Sequence, residues 1–230
     1  LLVKKDNNPN KVTSPIVQNM GRVDMGDYRN LVDFVKWTVA NYPAKHYALD
    51  IWDHGSGWHA LRFRAGAQGG FHPTDISWDD NTGHSITTQQ LGMAMSEIAG
   101  LIGHKLDLYA SDACLMAMAE IGGEMAESVD VLAGSEEVEP GEGWSYDNFL
   151  SLLSAKPTAT AIEFGQFLTK SYVDAYNGGS YGHQDVTFSA IDLNAYPQFV
   201  AAIKEFGMAL GKLSLSERRK VRSEERRVGK

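Results

Sequence analysis

The spacing of apolar and polar positions changes several times along the 230-residue chain, and each change marks an element. Leu31, Phe34, Val35 and Val39 recur at helical spacing, which predicts a helix over 28–41 with Asp27 as its N-cap and Pro43 as its stop. A short apolar run with one polar interruption, 47–52, reads as a buried strand. Thr87 is placed to cap a helix over 88–100, whose Leu91, Met95 and Ile98 share a face. Further buried strands are predicted at 105–110 and 129–133, with a helix between them over 115–127. Helices at 147–153 and 158–176, the second capped by Thr158, precede an alternating strand at 185–193 and a last helix at 197–213. Between 61 and 85 the glycines and Pro73 predict a long loop, a length that marks a functional excursion or a linker. Strands alternating with helices predict an α/β fold with a mainly parallel sheet flanked by helices.

Composition narrows the function classes. With 43% hydrophobic and 22% charged residues the chain has a globular make-up. It contains no apolar run long enough to span a bilayer. A net charge of −8 without a basic stripe argues against nucleic-acid binding. The single cysteine, Cys114, excludes an internal disulfide and any multi-cysteine zinc site. The chain starts at Leu1 with no leader, so the expectation is a fragment: an irregular segment over 1–21, a main folded domain over 22–213 and a tail over 214–230. Residues 222–230 resemble a translated adapter read-through and are expected to be artefactual, the alternative being a charged helix end.

The chemistry collects at predicted strand ends. His54 follows the first strand within Asp53-His-Gly-Ser-Gly-Trp58, Cys114 follows the second within Asp112-Ala-Cys-Leu-Met116, and Ser135 follows the third. Parallel strands carry their ligands outside the carboxyl edge, so His54 and Cys114 are expected on one rim. A helix starting just after Cys114 would favour its thiolate. Taken singly, a buried cysteine or a surface histidine is the ordinary reading. Together, a thiol and an imidazole at neighbouring strand ends point to nucleophilic catalysis.

These motifs, with the preceding Asn41-Tyr-Pro-Ala-Lys-His-Tyr-Ala-Leu-Asp-Ile-Trp52 and with Ala133-Gly-Ser-Glu-Glu-Val-Glu-Pro-Gly-Glu-Gly-Trp144, resemble the clostripain family of cysteine peptidases from about residue 21 to 210. The resemblance implies a caspase-like three-layer sandwich, although the caspase pentapeptide around the cysteine does not occur here and a core strand before the first helix has no counterpart. It implies a Cys114 nucleophile, His54 as the proton donor to the leaving amine, and the backbone N–H groups of Gly55 and Cys114 as the oxyanion site. It implies cleavage after Arg or Lys, and so a carboxylate at the pocket floor. Asp112 matches that position, Glu142 or Glu139 is the candidate second acid, and Ser135 and Trp144 are candidate walls. Asp50 and Asp53 receive no catalytic part. Self-processing within 61–85, at Arg62 or Arg64, follows from the same resemblance. It requires no cofactor, leaves calcium at Asp75, Asp79, Asp80 and Asn81 as a candidate ligand, and implies peptide substrates with basic residues and an extracellular or periplasmic home.

Two other classes compete. A metal-dependent hydrolase would draw on the seven histidines, yet no His-Glu-x-x-His or comparable spacing is present. A catalytically incompetent relative acting as a binding module is opposed by the presence of both His54 and Cys114.

Overall fold

The computed structural model describes residues 1–4, 10–58 and 76–228, with side chains up to residue 222. Asp27 accepts a hydrogen bond from the Arg29 N–H and starts α1 (Tyr28–Asn41), which buries Val32 and Val35. β1 (Ala48–Trp52) follows. A hairpin of β2 (Ile76–Asp79) and β3 (His84–Ile86) leads to α2 (Thr88–Ile102), which opens with a full capping box between Thr87 and Gln90. Next come β4 (Leu106–Asp112), the short α3 (Ala119–Met125) and β5 (Val129–Gly134). α4 (Tyr146–Ala155) and α5 (Ala161–Tyr176) follow, then a small hairpin of β6 (Asn177–Gly179) and β7 (Gly182–His183). β8 (Ser189–Asp192), α6 (Tyr196–Lys212) and α7 (Leu215–Val228) complete the order.

Four strands form the main sheet in the order β1-β4-β5-β8. β1, β4 and β5 are mutually parallel, while β8 runs antiparallel to β5. Successive side chains of a strand point to opposite faces. Tyr109 and Leu132 therefore pack on the side covered by α1, α2 and α3, with Leu91, Met95, Ile98 and Ile121. Leu108, Val131 and Ala133 pack on the other side, with Phe149, Leu168 and Tyr172 of α4 and α5. The result is the helix–sheet–helix sandwich expected of the alternating pattern.

Several local expectations are corrected. The first strand is an edge strand rather than a buried one: Trp52 is 77% exposed, and only Leu49 is fully buried. Residues 115–118 are not helical, because Leu115 takes φ +64° and the chain enters α3 only at Ala119. α5 is capped by Thr160 in a box with Glu163, not by Thr158. The end of the 61–85 segment is ordered as the β2–β3 hairpin, whose turn is held by Asp79 accepting from the Asn81 and Thr82 N–H groups. The fourth strand is short and antiparallel, and residues 215–228 form a helix, the alternative weighed for the charged end. Arg62, Arg64 and Asp75 lie outside the described residues.

Gly165 sets the approach of α5 to the sheet. A Cβ there would lie 2.8 Å from the Ala190 Cβ and 3.2 Å from a Val131 methyl, whereas one at Gly100 of α2 would meet nothing within 4 Å. Gly165→Ala is therefore expected to destabilise by about 1–3 kcal/mol through overpacking. Gly100→Ala is expected to stabilise by roughly 0.5–1 kcal/mol through helix propensity. Denaturant midpoints at unchanged slope check both.

Candidate active site

Trp52 pairs with Asp112 in the parallel β1–β4 register, and His54 and Cys114 each follow that pair by two residues. The pairing continues one step beyond β1, where the Asp53 N–H donates to the Asp112 carbonyl at 3.3 Å. Both loops then leave the same edge of the sheet. They touch at Gly55, where a Cβ would sit 2.4 Å from the Cys114 carbonyl oxygen and 3.1 Å from the Ala113 Cβ. Only a residue without a side chain permits that approach. His54 and Cys114 line one cleft of about 340 Å³ together with Trp52, Asp112, Glu139 and Gly143.

The cysteine is presented by a turn and not by a helix terminus. Leu115 holds a left-handed conformation that is uncommon for a branched side chain and stores strain. Two backbone bonds fix the turn to the segment after β5: the Leu115 N–H donates to the Glu137 carbonyl and the Ala117 N–H to the Ser135 carbonyl, both at 3.0 Å. The Glu139 N–H donates to the Cys114 Sγ at 3.3 Å. A backbone donor thus takes the place of the helix dipole expected next to the sulfur.

The cleft floor is acidic. Asp112 is buried, and its Oδ2 accepts from the Trp144 N–H at 3.4 Å and the Tyr146 hydroxyl at 3.0 Å. Glu139 meets the Asp112 carboxyl, and its Oε1 accepts from the Trp144 indole N–H at 3.4 Å. Asp50 stands behind, accepting the Tyr146 hydroxyl at 2.8 Å and the Asp112 N–H at 3.3 Å. Gly143 crosses above Asp112 at φ +63°, where a Cβ would lie 3.0 and 3.1 Å from the two carboxylate oxygens. Burial, then the neighbouring Asp112, pushes Glu139 up to about 9. Burial also raises Asp112, opposed by its bonds to Glu139, Tyr146 and Trp144. Burial also raises Asp50 to about 6, opposed by the Tyr146 hydroxyl that it accepts.

The other candidates fall elsewhere. Ser135 is buried, donates from Oγ to the Glu137 carbonyl at 3.0 Å and does not line the cleft. Trp144 is buried behind the acids, with its ring 5.2 Å from that of Phe188. Glu142 is exposed and outside the cleft, so the acid that the loop contributes is Glu139. Asp79 accepts from the Met25, Asn81 and Thr82 N–H groups, and Asp80 from the Trp78 indole. Those two carboxylates are engaged with hairpin and loop donors. Among the described residues no group of three or more His, Cys, Asp or Glu is arranged to hold a metal ion, and no helix is long and apolar enough to cross a membrane. The pattern of the sequence gives no sign of Tyr146, and it leaves Asp50 idle. The β1–β4 register is what brings Asp50 beside Asp112.

Known proteins share the family and the fold of this chain. The family model described as the clostripain family matches residues 2–225. Clostripain of Hathewaya histolytica is 31% identical over 142 residues, covering 57% of this chain and 25% of that protein. A secreted C11 cysteine protease from Bacteroides thetaiotaomicron, solved with an irreversible peptide inhibitor, superposes with a TM-score of 0.60 at 21% identity, covering 77% of this chain and 48% of that one. An inactive zymogen C11 protease from Parabacteroides distasonis superposes at 0.53 with 18% identity, covering 76% and 42%. The chain therefore spans less than half the length of each of these relatives.

Glu139 keeps its proton in the folded protein where an unfolded glutamate, near 4.5, has lost it. The folded state binds more protons across that window, so stability falls as pH rises from about 4.5 to about 9. Thermal melts of Glu139→Gln are expected to fall less steeply with pH than those of the wild type. Parallel curves would remove Glu139 from this balance.

Proposed function

We propose, since the chain belongs to the clostripain family of cysteine peptidases, that it is the catalytic part of an endopeptidase that cuts after Arg or Lys. The observation that carries this reading is the shared cleft: a thiol, an imidazole and a buried carboxylate line one cavity at the carboxyl edge of parallel strands. Cys114 acts as the nucleophile. Its thiol gives its proton to His54 as the sulfur bonds to the scissile carbonyl carbon, and the electron pair of the C=O moves to the oxygen. The N–H groups of Gly55 and Cys114 are the donors for that oxyanion, a role supported by the contact between the two loop backbones. Collapse breaks the C–N bond, and His54 delivers the proton that the departing amine needs. Water then attacks the thioester, His54 takes its proton, and the carboxylic acid leaves with the thiol restored.

Specificity in this reading comes from the floor. Asp112 and Glu139 lie where a long cationic side chain would end, and Gly143 leaves room above them. Charge-assisted bonds to a guanidinium or ammonium group supply what the buried acids lack. Trp144 holds both acids from behind, and Ser135 supports the base of the loop. Peptides with exposed basic residues are the substrates, no cofactor enters the reaction, and the protein works outside the cytoplasm, as the secreted relative from Bacteroides thetaiotaomicron does. Processing at Arg62 or Arg64 belongs to the same activity.

Cys114→Ala is expected to abolish turnover of an Arg-aminomethylcoumarin peptide and to leave the 61–85 segment uncut by mass spectrometry, and residual wild-type turnover would remove Cys114 from the mechanism. Asp112→Asn is expected to lower kcat/KM for that peptide by roughly 30-fold to several thousand-fold, the range for removing one partner of a buried charge pair. An unchanged Arg preference would place the specificity pocket elsewhere.

A further inference from the structure

Three carboxyl groups gather at the cleft floor, linked by one tyrosine hydroxyl. Asp112 and Glu139 contact each other side chain to side chain, and two carboxyl groups in such contact need a proton between them. No donor among the described residues reaches Glu139 Oε2, although that atom is sealed from solvent. Asp50 joins through Tyr146, whose single hydroxyl proton lies 2.8 Å from one Asp50 oxygen and 3.0 Å from Asp112 Oδ2. A hydroxyl can donate only one strong bond at a time, so this oxygen cannot satisfy both acids when both are ionised. Among the described residues, no lysine or arginine is paired with any of the three.

Buried charge without a partner is expensive, and such groups keep a proton until a partner arrives. We propose that the pocket exchanges a proton for its ligand: the Asp50–Tyr146–Asp112–Glu139 cluster holds a shared proton when empty and releases it when a guanidinium or ammonium group enters. The inference rests on the basic-pocket reading above and deepens it. Charge balances, since one H⁺ leaves as one cation binds and no covalent bond of the ligand changes. Asp50 and Tyr146 are positioning residues in this scheme, setting the charge and orientation of the two acids that touch the ligand.

The groups facing the cluster can be named element by element. β1 supplies Asp50, with Asp53 and His54 beyond it; β4 supplies Asp112, followed by Cys114. The loop after β5 supplies Glu139, α4 supplies Tyr146, and Tyr172 and Tyr176 of α5 feel the acids from behind. The tyrosines are all pushed up, mainly by burial, and stay neutral. With Glu139 raised to about 9, the proton is in place at neutral pH. Below the release midpoint, each unit of pH then changes the affinity for a cationic side chain by up to about tenfold, rising with pH.

The test is calorimetry on the 230-residue chain carrying Cys114→Ala, titrated with an arginine peptide in two buffers of different ionisation enthalpy at pH 7.5. The expected result is close to one proton released per peptide bound, and close to none once Glu139→Gln is added. That difference separates the cluster from His54 and Asp53, which both proteins retain. Asp50→Asn is expected to move the release midpoint to lower pH, because a neighbouring negative charge is gone. Tyr146→Phe is expected to move it to higher pH, because the carboxylates lose their hydroxyl donor, and a merely structural role would not produce opposite shifts. Preferential binding of arginine over citrulline peptide with buffer-independent heat, or shifts of one sign, overturns the exchange and leaves the basic-pocket reading standing. Equal binding of both peptides overturns that reading itself. The first arm keeps the cluster intact and does not depend on the folding of the variants.

Discussion

The parallel pairing of β1 with β4 is the constraint from which the rest of the site follows. Its register sets Trp52 opposite Asp112, and so brings two chemically unrelated loops off the sheet side by side. The Gly55 backbone closes the remaining gap by lying directly against Cys114. A slip of one residue would turn every β1 side chain to the other face. Asp50 would then no longer share Tyr146 with Asp112, and the acid cluster would lose its third member. One hydrogen-bonding register thus positions the reactive pair and the acidic floor together.

The floor also shows where stability has been given up. Asp112 and Glu139 are packed below the rim with too few donors, and burial holds both well above the usual carboxylate range. A core designed for stability alone would not bury interacting carboxyls in this way. The strained Leu115 turn is a second local cost, fixed by backbone bonds to the segment after β5. Both features sit beside the cleft; the other left-handed non-glycine residue, Ser77, lies in the β2–β3 hairpin. Interacting carboxyls next to a strained turn fit the binding of a cation and a peptide carbonyl proposed for this cleft.

Helices with strong punctuation were legible from the sequence. The first helix begins and ends where Asp27 and Pro43 indicate, because its cap and its stop are local in chain and in space. Thr87 caps the next for the same reason. A local signal is ambiguous where it has a nearby competitor. Thr158 and Thr160 both suit a cap, but only Thr160 has a glutamate three residues on, so the capping box decides between them. The helical pattern from residue 115 is real but starts too early, because the backbone bonds of Leu115 and Ala117 to the β5 loop draw that stretch out of the helix. The edge position of β1 is hidden in its sequence, since an apolar run looks alike at the edge and at the centre of a sheet.

The residue types that make up a thiol–imidazole chemistry, their position after apolar runs and the acid two residues before the cysteine are properties of the chain order, and periodicity alone was enough to put them at strand ends. Which strands are neighbours, and in what register, depends on contacts between residues some sixty positions apart, as between Asp50 and Asp112. Only the folded molecule decides that Glu139 rather than Glu142 turns inward, that Ser135 is spent on its own loop, and that Tyr146 ties Asp50 to Asp112. Those outcomes turn on side-chain direction and on the density of packing around each group, neither of which is written in the local spacing of residues.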